Sequence, residues 1–158
     1  MKVVVIIPTY NEKGNLQKLI PILEEEVFPK IKNHAMNILI ADDNSPDGTG
    51  EEVRKFMKKW KNIDINQGPK KGLGAAYVRA MSYAIDKVKA EVLFEMDADL
   101  QHDPKKIPDF LQKIDEGFDM VIGTRYSQGG SIPKNWPLKR KIFSIFGNML
   151  VRTLKITA

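Results

Sequence analysis

Asp97-Ala98-Asp99 follows the apolar run 92–96 directly, which puts two carboxylates on the same side of an extended chain as it leaves a buried strand. Two anions left unpaired there would repel each other. Hard divalent cations take oxygen ligands, and Mg2+ in particular joins one or two carboxylates with substrate phosphates and water. Gln101 continues the alternation and offers an amide oxygen. The chain has no cysteine, so thiolate metal sites and disulfides are excluded. The competing reading is a solvated turn in which Asp103-Pro104 caps the next helix. Asp103 is expected to be that cap. Asp97 and Asp99 are expected to be metal ligands, because carboxylates directly after a buried strand are poorly placed to be mere surface. His102, beside the cap, carries a weak signal as a ligand.

Three further clusters carry polar chemistry. Asp42 and Asp43 end a second apolar run and lead into Asn44-Ser-Pro-Asp-Gly48. Carboxylates there would accept from ribose hydroxyls or base N–H groups, and the same residues make a turn without any ligand. The stretch 8–12, Pro-Thr-Tyr-Asn-Glu, is open in the same way. Asn11 and Glu12 suit a helix cap, and Tyr10 offers a face for base stacking. Gly72-Leu-Gly74 after Lys70 and Lys71 opens a helix whose N-terminus could receive a phosphate, or it is simply a tight turn into that helix. It matches neither the dinucleotide fingerprint nor the P-loop pattern. Arg125 stands just beyond the run 120–122, where its planar fork could hold phosphate oxygens or lie on the surface.

These clusters need a scaffold. Short apolar runs at 3–7, 38–41, 92–96 and 120–122, with a further candidate at 63–65, alternate with stretches of helical spacing at 16–27, 53–60 and 75–88. Continuous apolar strands separated by amphipathic helices imply a mostly parallel sheet covered on both faces, an α/β sandwich. All the polar clusters then fall at the C-terminal ends of strands, the edge where open parallel sheets bind ligands. At 158 residues and 42% hydrophobic, the chain fits one domain with a C-terminal appendage. The first strand-like run, from Lys2, is too short for a signal peptide and reads as folded protein. No stretch approaches the roughly 20 apolar residues of a membrane span, so a soluble or peripheral chain is expected.

Charge is uneven. The net +5 includes seven cations after Asp119 and no anion, which leaves the first 119 residues at a net −2. Leu138, Ile142, Ile145, Phe146, Met149 and Leu150 recur at helical spacing among Lys139, Arg140, Lys141 and Arg152. That pattern fits an interfacial helix and equally a buried one. A nucleic-acid partner is disfavoured, since acidic clusters at the sheet edge would repel a phosphate backbone.

Together, Ile7-Pro-Thr-Tyr-Asn-Glu12, Ala41-Asp-Asp-Asn-Ser-Pro-Asp-Gly-Thr49, Gly72-Leu-Gly-Ala75, Met96-Asp-Ala-Asp-Leu-Gln-His102 and Gly123-Thr-Arg-Tyr126, then Gly129-Gly130 and Trp136, resemble the family 2 glycosyltransferases, specifically the dolichol- or polyprenol-phosphate mannose synthases. The resemblance implies the GT-A fold, a Rossmann-like three-layer sandwich, with residues 1–126 as the nucleotide-sugar-binding core. Residues 127–158 would be an acceptor-side loop and a basic amphipathic helix. Pro8, Tyr10 and Glu12 would line the nucleotide pocket, with Ala41 and one or both of Asp42 and Asp43 on base and ribose. Asp97 and Ala98 would touch the donor, Asp99 and Gln101 would hold Mg2+ or Mn2+, and Arg125 would face the reacting phosphates.

The implied reaction is transfer of mannose from GDP-mannose to a dolichyl or polyprenyl phosphate with inversion, at the cytoplasmic face of a membrane where the protein is peripheral. Nothing physical in these residues separates guanine from uracil or mannose from glucose, so a UDP-glucose enzyme is the nearest rival. Family members generally continue several tens of residues beyond a position like Ala158. A cut or short form is therefore expected, and an inactive nucleotide-sugar-binding fragment is the other alternative.

Overall fold

Four of the apolar runs become parallel strands in a computed structural model, which describes residues 1–124 and 136–153, the side chain of Arg152 excepted. The strands are β1 (Lys2–Thr9), β2 (Ala35–Asp42), β3 (Ile63–Gln67) and β4 (Val92–Glu95). They lie side by side in the order β3-β2-β1-β4, every pairing parallel. Between them run α1 (Lys13–Pro21), α2 (Thr49–Lys59) and α3 (Leu73–Tyr83), and α4 (Ile107–Asp115) follows β4.

The sheet is covered on both sides, which explains why its central strand lacks polar alternation. Val3, Val5 and Ile7 pack with Leu16, Leu19 and Ile20 of α1, Val53 of α2, and Ile107 and Leu111 of α4. Val4 and Ile6 point the other way, onto Leu39 and Ala41 of β2 and the small residues Ala80 and Ala84 beneath α3. All five β1 residues are fully buried. The result is a three-layer sandwich in which, among the described residues of the first unit, α3 covers one face of the sheet and α1, α2 and α4 the other, and removing one of these large side chains would cost about 2–5 kcal/mol.

Local detail departs from the sequence expectations in three places. The helix expected over 16–27 is α-helical through Pro21 and then opens into wider turns at Ile22–Val27, because proline has no N–H to continue the ladder. The expected third helix opens similarly at Ala84–Val88 and stops at Lys89, which adopts a left-handed conformation. The run 120–122 joins no ladder among the described residues. Three apolar residues span only about 10 Å, and without a hydrogen-bonded neighbour they are not a strand. Asp103 behaves as expected, its carboxylate accepting from Lys105 N at 3.0 Å.

The chain divides into two units, Met1–Gly117 and Phe118–Ala158. The second holds α5 (Leu138–Thr153), with the Arg140 guanidinium 4.0 Å over the Trp136 ring. Among the described residues no helix is long and apolar enough to cross a membrane.

Candidate active site

The strand order turns back at β1, which has β2 on one side and β4 on the other, so a crevice opens beyond the C-terminal ends of β1 and β4. The cleft found there measures about 280 Å3. Pro8, Thr9, Tyr10 and Glu12 come to it from β1, and Asp43 from β2. Lys70, Gly72, Leu73 and Ala76 come from the β3–α3 connection, and Asp97, Ala98 and Asp99 from β4. The four clusters singled out in the sequence thus converge on one place within the first unit.

The two Asp residues ending β2 part company. Asp42 is fully buried and saturated from within: Oδ1 accepts from the hydroxyls of Thr9 at 3.1 Å and Ser45 at 2.5 Å. Its Oδ2 accepts from Ser45 N at 3.2 Å and Gln67 Nε2 at 3.0 Å. The expectation that Asp42 meets base or ribose is corrected here, since every lone-pair direction is already used by the protein. Ala41 is also fully buried, packed in the core on the α3 side, and is not part of the cleft lining. Asp43 is the carboxylate that faces the cleft, with Oδ1 held by Arg79 Nη2 at 3.0 Å.

The rest of the 42–49 loop is a clamp. Ser45 Oγ accepts from Asn11 N at 3.0 Å, Thr49 Oγ1 from Glu12 N at 3.2 Å, and Asp47 Oδ2 from Lys13 N at 3.3 Å. Three successive amides of the β1–α1 loop are therefore satisfied by the neighbouring loop. Neither Asn11 nor Glu12 caps α1 by its side chain. Asn11 and Asn44 instead supply left-handed backbone, φ 62° and 52°, which asparagine tolerates better than most residues. The Glu12 carboxylate accepts from Asn15 Nδ2 at 2.6 Å.

Asp47 also receives the Thr49 hydroxyl and amide. Burial pushes its carboxyl up, but the bonds from Thr49 and Lys13 outweigh this and hold it below the usual carboxylate range. Its contribution is thus fully present above the unfolded carboxylate value and disappears as the pH falls through the lower folded one, below about pH 4. Asp47→Ala is expected to cost about 1 kcal/mol at neutral pH, the net worth of the loop hydrogen bonds it accepts from Lys13 and Thr49. Urea titrations of both proteins at pH 7 and pH 3 should show that difference shrinking at the lower pH.

At the β4 end the extended alternation stops at Asp97. The chain turns at Ala98–Asp99, and Leu100 is held at φ 61°, a strained value for a bulky residue. Asp97 and Asp99 both reach the cleft, whereas Gln101 is not part of its lining and donates its N–H to Asp99 Oδ1 at 3.0 Å. His102 braces Asp97: its Nδ1 accepts from Asp97 N at 3.2 Å, and its Nε2 lies 3.8 Å from Asp97 Oδ2. Burial, then the charges of Asp97 and Glu95, push the Tyr77 phenol well up, so it remains a neutral O–H on α3. Arg125, Gly129 and Gly130 lie outside the described residues.

Among the described residues the cleft is acidic. Glu12, Asp43, Asp97 and Asp99 line it against Lys70, whose Nζ sits 3.3 Å from the centre of the Tyr10 ring. A diphosphate would meet net repulsion there unless a cation joined it. No group of three or more His, Asp or Glu residues converges for a metal among the described residues. Two oxygen-bearing carboxylates suit the partial shell of Mg2+ or Mn2+, completed by phosphate and water.

A sequence model of glycosyl transferase family 2 matches residues 4–157. The chain belongs to this family. It is 41% identical over 148 residues to the dolichol-phosphate mannosyltransferase of Pyrococcus furiosus, a match spanning 91% of this chain and 38% of that protein. It is 37% identical over 159 residues to the polyprenol monophosphomannose synthase of Mycolicibacterium smegmatis, spanning 97% and 56%. The chain thus spans about half the length of these relatives or less. Among solved structures, S. aureus TarS 1–349 in complex with UDP superposes with a TM-score of 0.56 at 28% identity, covering 73% of this chain and 32% of that one. The fold is of the GT-A type found in family 2.

Sequence reasoning missed Arg79, Gln67 and Ser45, which hold Asp42 and Asp43 beside the cleft. Arg79 left one signal, a lone cation among the small and apolar residues of α3.

Proposed function

We propose that the chain is the donor-binding core of an inverting mannosyltransferase that takes GDP-mannose and passes mannose to a polyprenyl or dolichyl phosphate. The observation that carries this is the cleft, where a stacking ring (Tyr10), a hydrogen-bonding carboxylate (Asp43) and a carboxylate pair (Asp97 and Asp99) line one crevice. The names of the relatives support the choice of mannose and lipid phosphate. In this reading the base stacks on Tyr10 once Lys70 leaves the ring, and Asp43 accepts from the nucleoside. The diphosphate lies over Gly72 and Lys70. A bound Mg2+ or Mn2+, held by Asp97 and Asp99 with Gln101, would offset the charge of the diphosphate.

An oxygen of the lipid phosphate attacks the anomeric carbon from the face opposite the diphosphate. The new C–O bond forms as the bond to the diphosphate oxygen breaks, and GDP departs. The attacking oxygen is already ionised near neutral pH, so no strong general base is required. Arg125 is assigned to the reacting phosphates. The basic helix α5 is assigned to the surface of a membrane, at whose cytoplasmic face the protein would be peripheral.

Calorimetric titration with GDP-mannose and with UDP-glucose, each with and without Mn2+, tests the donor. Metal-dependent preference for GDP-mannose is expected. Preference for UDP-glucose would reassign the sugar and base, and binding of neither would overturn the donor cleft. Transfer to polyprenyl phosphate in vesicles then separates an active chain from one that only binds.

A further inference from the structure

Arg79 does not line the donor cleft, yet it grips the residue that does. From α3 its Nε donates to Asn66 Oδ1 at 2.8 Å at the end of β3, and its Nη2 donates to Asp43 Oδ1 at 3.0 Å. The same nitrogen lies 3.4 Å from the Asp42 carbonyl oxygen. One planar group thus ties the ends of β2 and β3 together and occupies one oxygen of Asp43, whose side chain is only 9% exposed. The seat of that guanidinium is Gly68: a Cβ there would lie 2.6 to 2.8 Å from Nη1, Cζ and Nε of Arg79. Glycine is the residue that lets the guanidinium rest against the backbone.

We propose that Arg79 is a positioning residue for the donor nucleoside. It fixes Asp43 by Oδ1 so that Oδ2 is the oxygen presented to a ligand N–H or O–H, and Gly68 is required to seat it. The inference rests on the reading of the cleft as a nucleotide-sugar site. A carboxylate rotates freely about its terminal torsion unless something holds it. A charge-assisted bond from a planar fork does so, and the paired charge offsets the cost of burial. Lysine cannot reproduce the two-point grip on Asn66 and Asp43.

Gly68→Ala makes a sharp test because it leaves both charged groups in place. The clash falls on the far end of a flexible side chain, so Arg79 swings aside at little cost to the fold while Asp43 loses its anchor. GDP and UDP are titrated with Mn2+ into the wild type, Gly68→Ala, Arg79→Lys, Asp43→Asn and the Gly68→Ala/Asp43→Asn double variant, with thermal melts alongside. Asp43→Asn is expected to weaken GDP binding about tenfold or more, and Gly68→Ala and Arg79→Lys about three- to tenfold, with melting close to that of the wild type. The double variant should bind no more weakly than Asp43→Asn alone, because both changes remove the same interaction. A folded Gly68→Ala protein with wild-type affinity, or a double variant whose losses add, overturns the inference while leaving the donor cleft standing. A wild type that binds neither nucleotide overturns both.

Discussion

Asp99→Ala is expected to abolish the Mn2+-dependent part of GDP-mannose binding, weakening it about a hundredfold or more, an effect of roughly 2.7 kcal/mol. Among the described residues the cleft sets Glu12, Asp43 and Asp97 against Lys70 alone, so a diphosphate without a metal partner faces like charge from them. Taking away one of two carboxylate ligands leaves a divalent ion with Asp97 and an amide oxygen, too little to compete with water. The fold should hardly notice. Asp99 is exposed, and the bond recorded for it is the one from Gln101 N in its own loop, so a loss of about 0.5 kcal/mol is the expectation for such a surface position. Calorimetry with and without Mn2+, beside a thermal melt, reads both quantities. An affinity in Mn2+ equal to that of the wild type would remove Asp99 from the metal site.

The parts of this protein that could be read from its sequence are those where one physical demand dominates. β1 is legible because a strand buried on both faces must be apolar at every position, and 3–7 meets that demand with five fully buried residues. The polar clusters are legible as a site because strand ends in a parallel sheet share one edge. The roles of individual residues within a cluster depend on neighbours far away in sequence. Asp42 and Asp43 are chemically identical, and the direction of β2 sends one into a cage of Thr9, Ser45 and Gln67 and the other to the cleft. Arg79 belongs to no motif, and its importance comes from Asn66 and Gly68 meeting it across the β3–α3 turn. The run 120–122 misleads because three apolar residues satisfy a strand pattern without supplying a partner strand.

The same division of labour makes Asp42 the most consequential position for stability. Asp42→Ala would leave the Ser45 amide, the Gln67 amide group and two hydroxyls without their acceptor around a fully buried position, although Ser45 itself is half-buried and Gln67 exposed. At about 1–3 kcal/mol for each buried group left unsatisfied, and with relief from hydroxyl rotation and from water at Ser45 and Gln67, a loss of about 2–4 kcal/mol is expected, a large share of a marginal domain's stability. Asp42→Asn is the sharper comparison. The new amide can keep its oxygen toward Ser45 N and Gln67 Nε2 only by turning its N–H hydrogens to the Thr9 and Ser45 hydroxyls, which must then accept instead of donate. Ser45 Oγ already accepts from Asn11 N at 3.0 Å, and its own hydroxyl hydrogen then loses the acceptor it had on Asp42. Asp42→Asn should therefore lose about 1–2 kcal/mol in urea denaturation although it changes a single atom type. Asp43→Asn, one residue away, should unfold close to the wild type and lose nucleotide affinity instead. If the two asparagine variants exchanged these behaviours, the assignment of Asp42 to the scaffold and Asp43 to the ligand would have to be reversed.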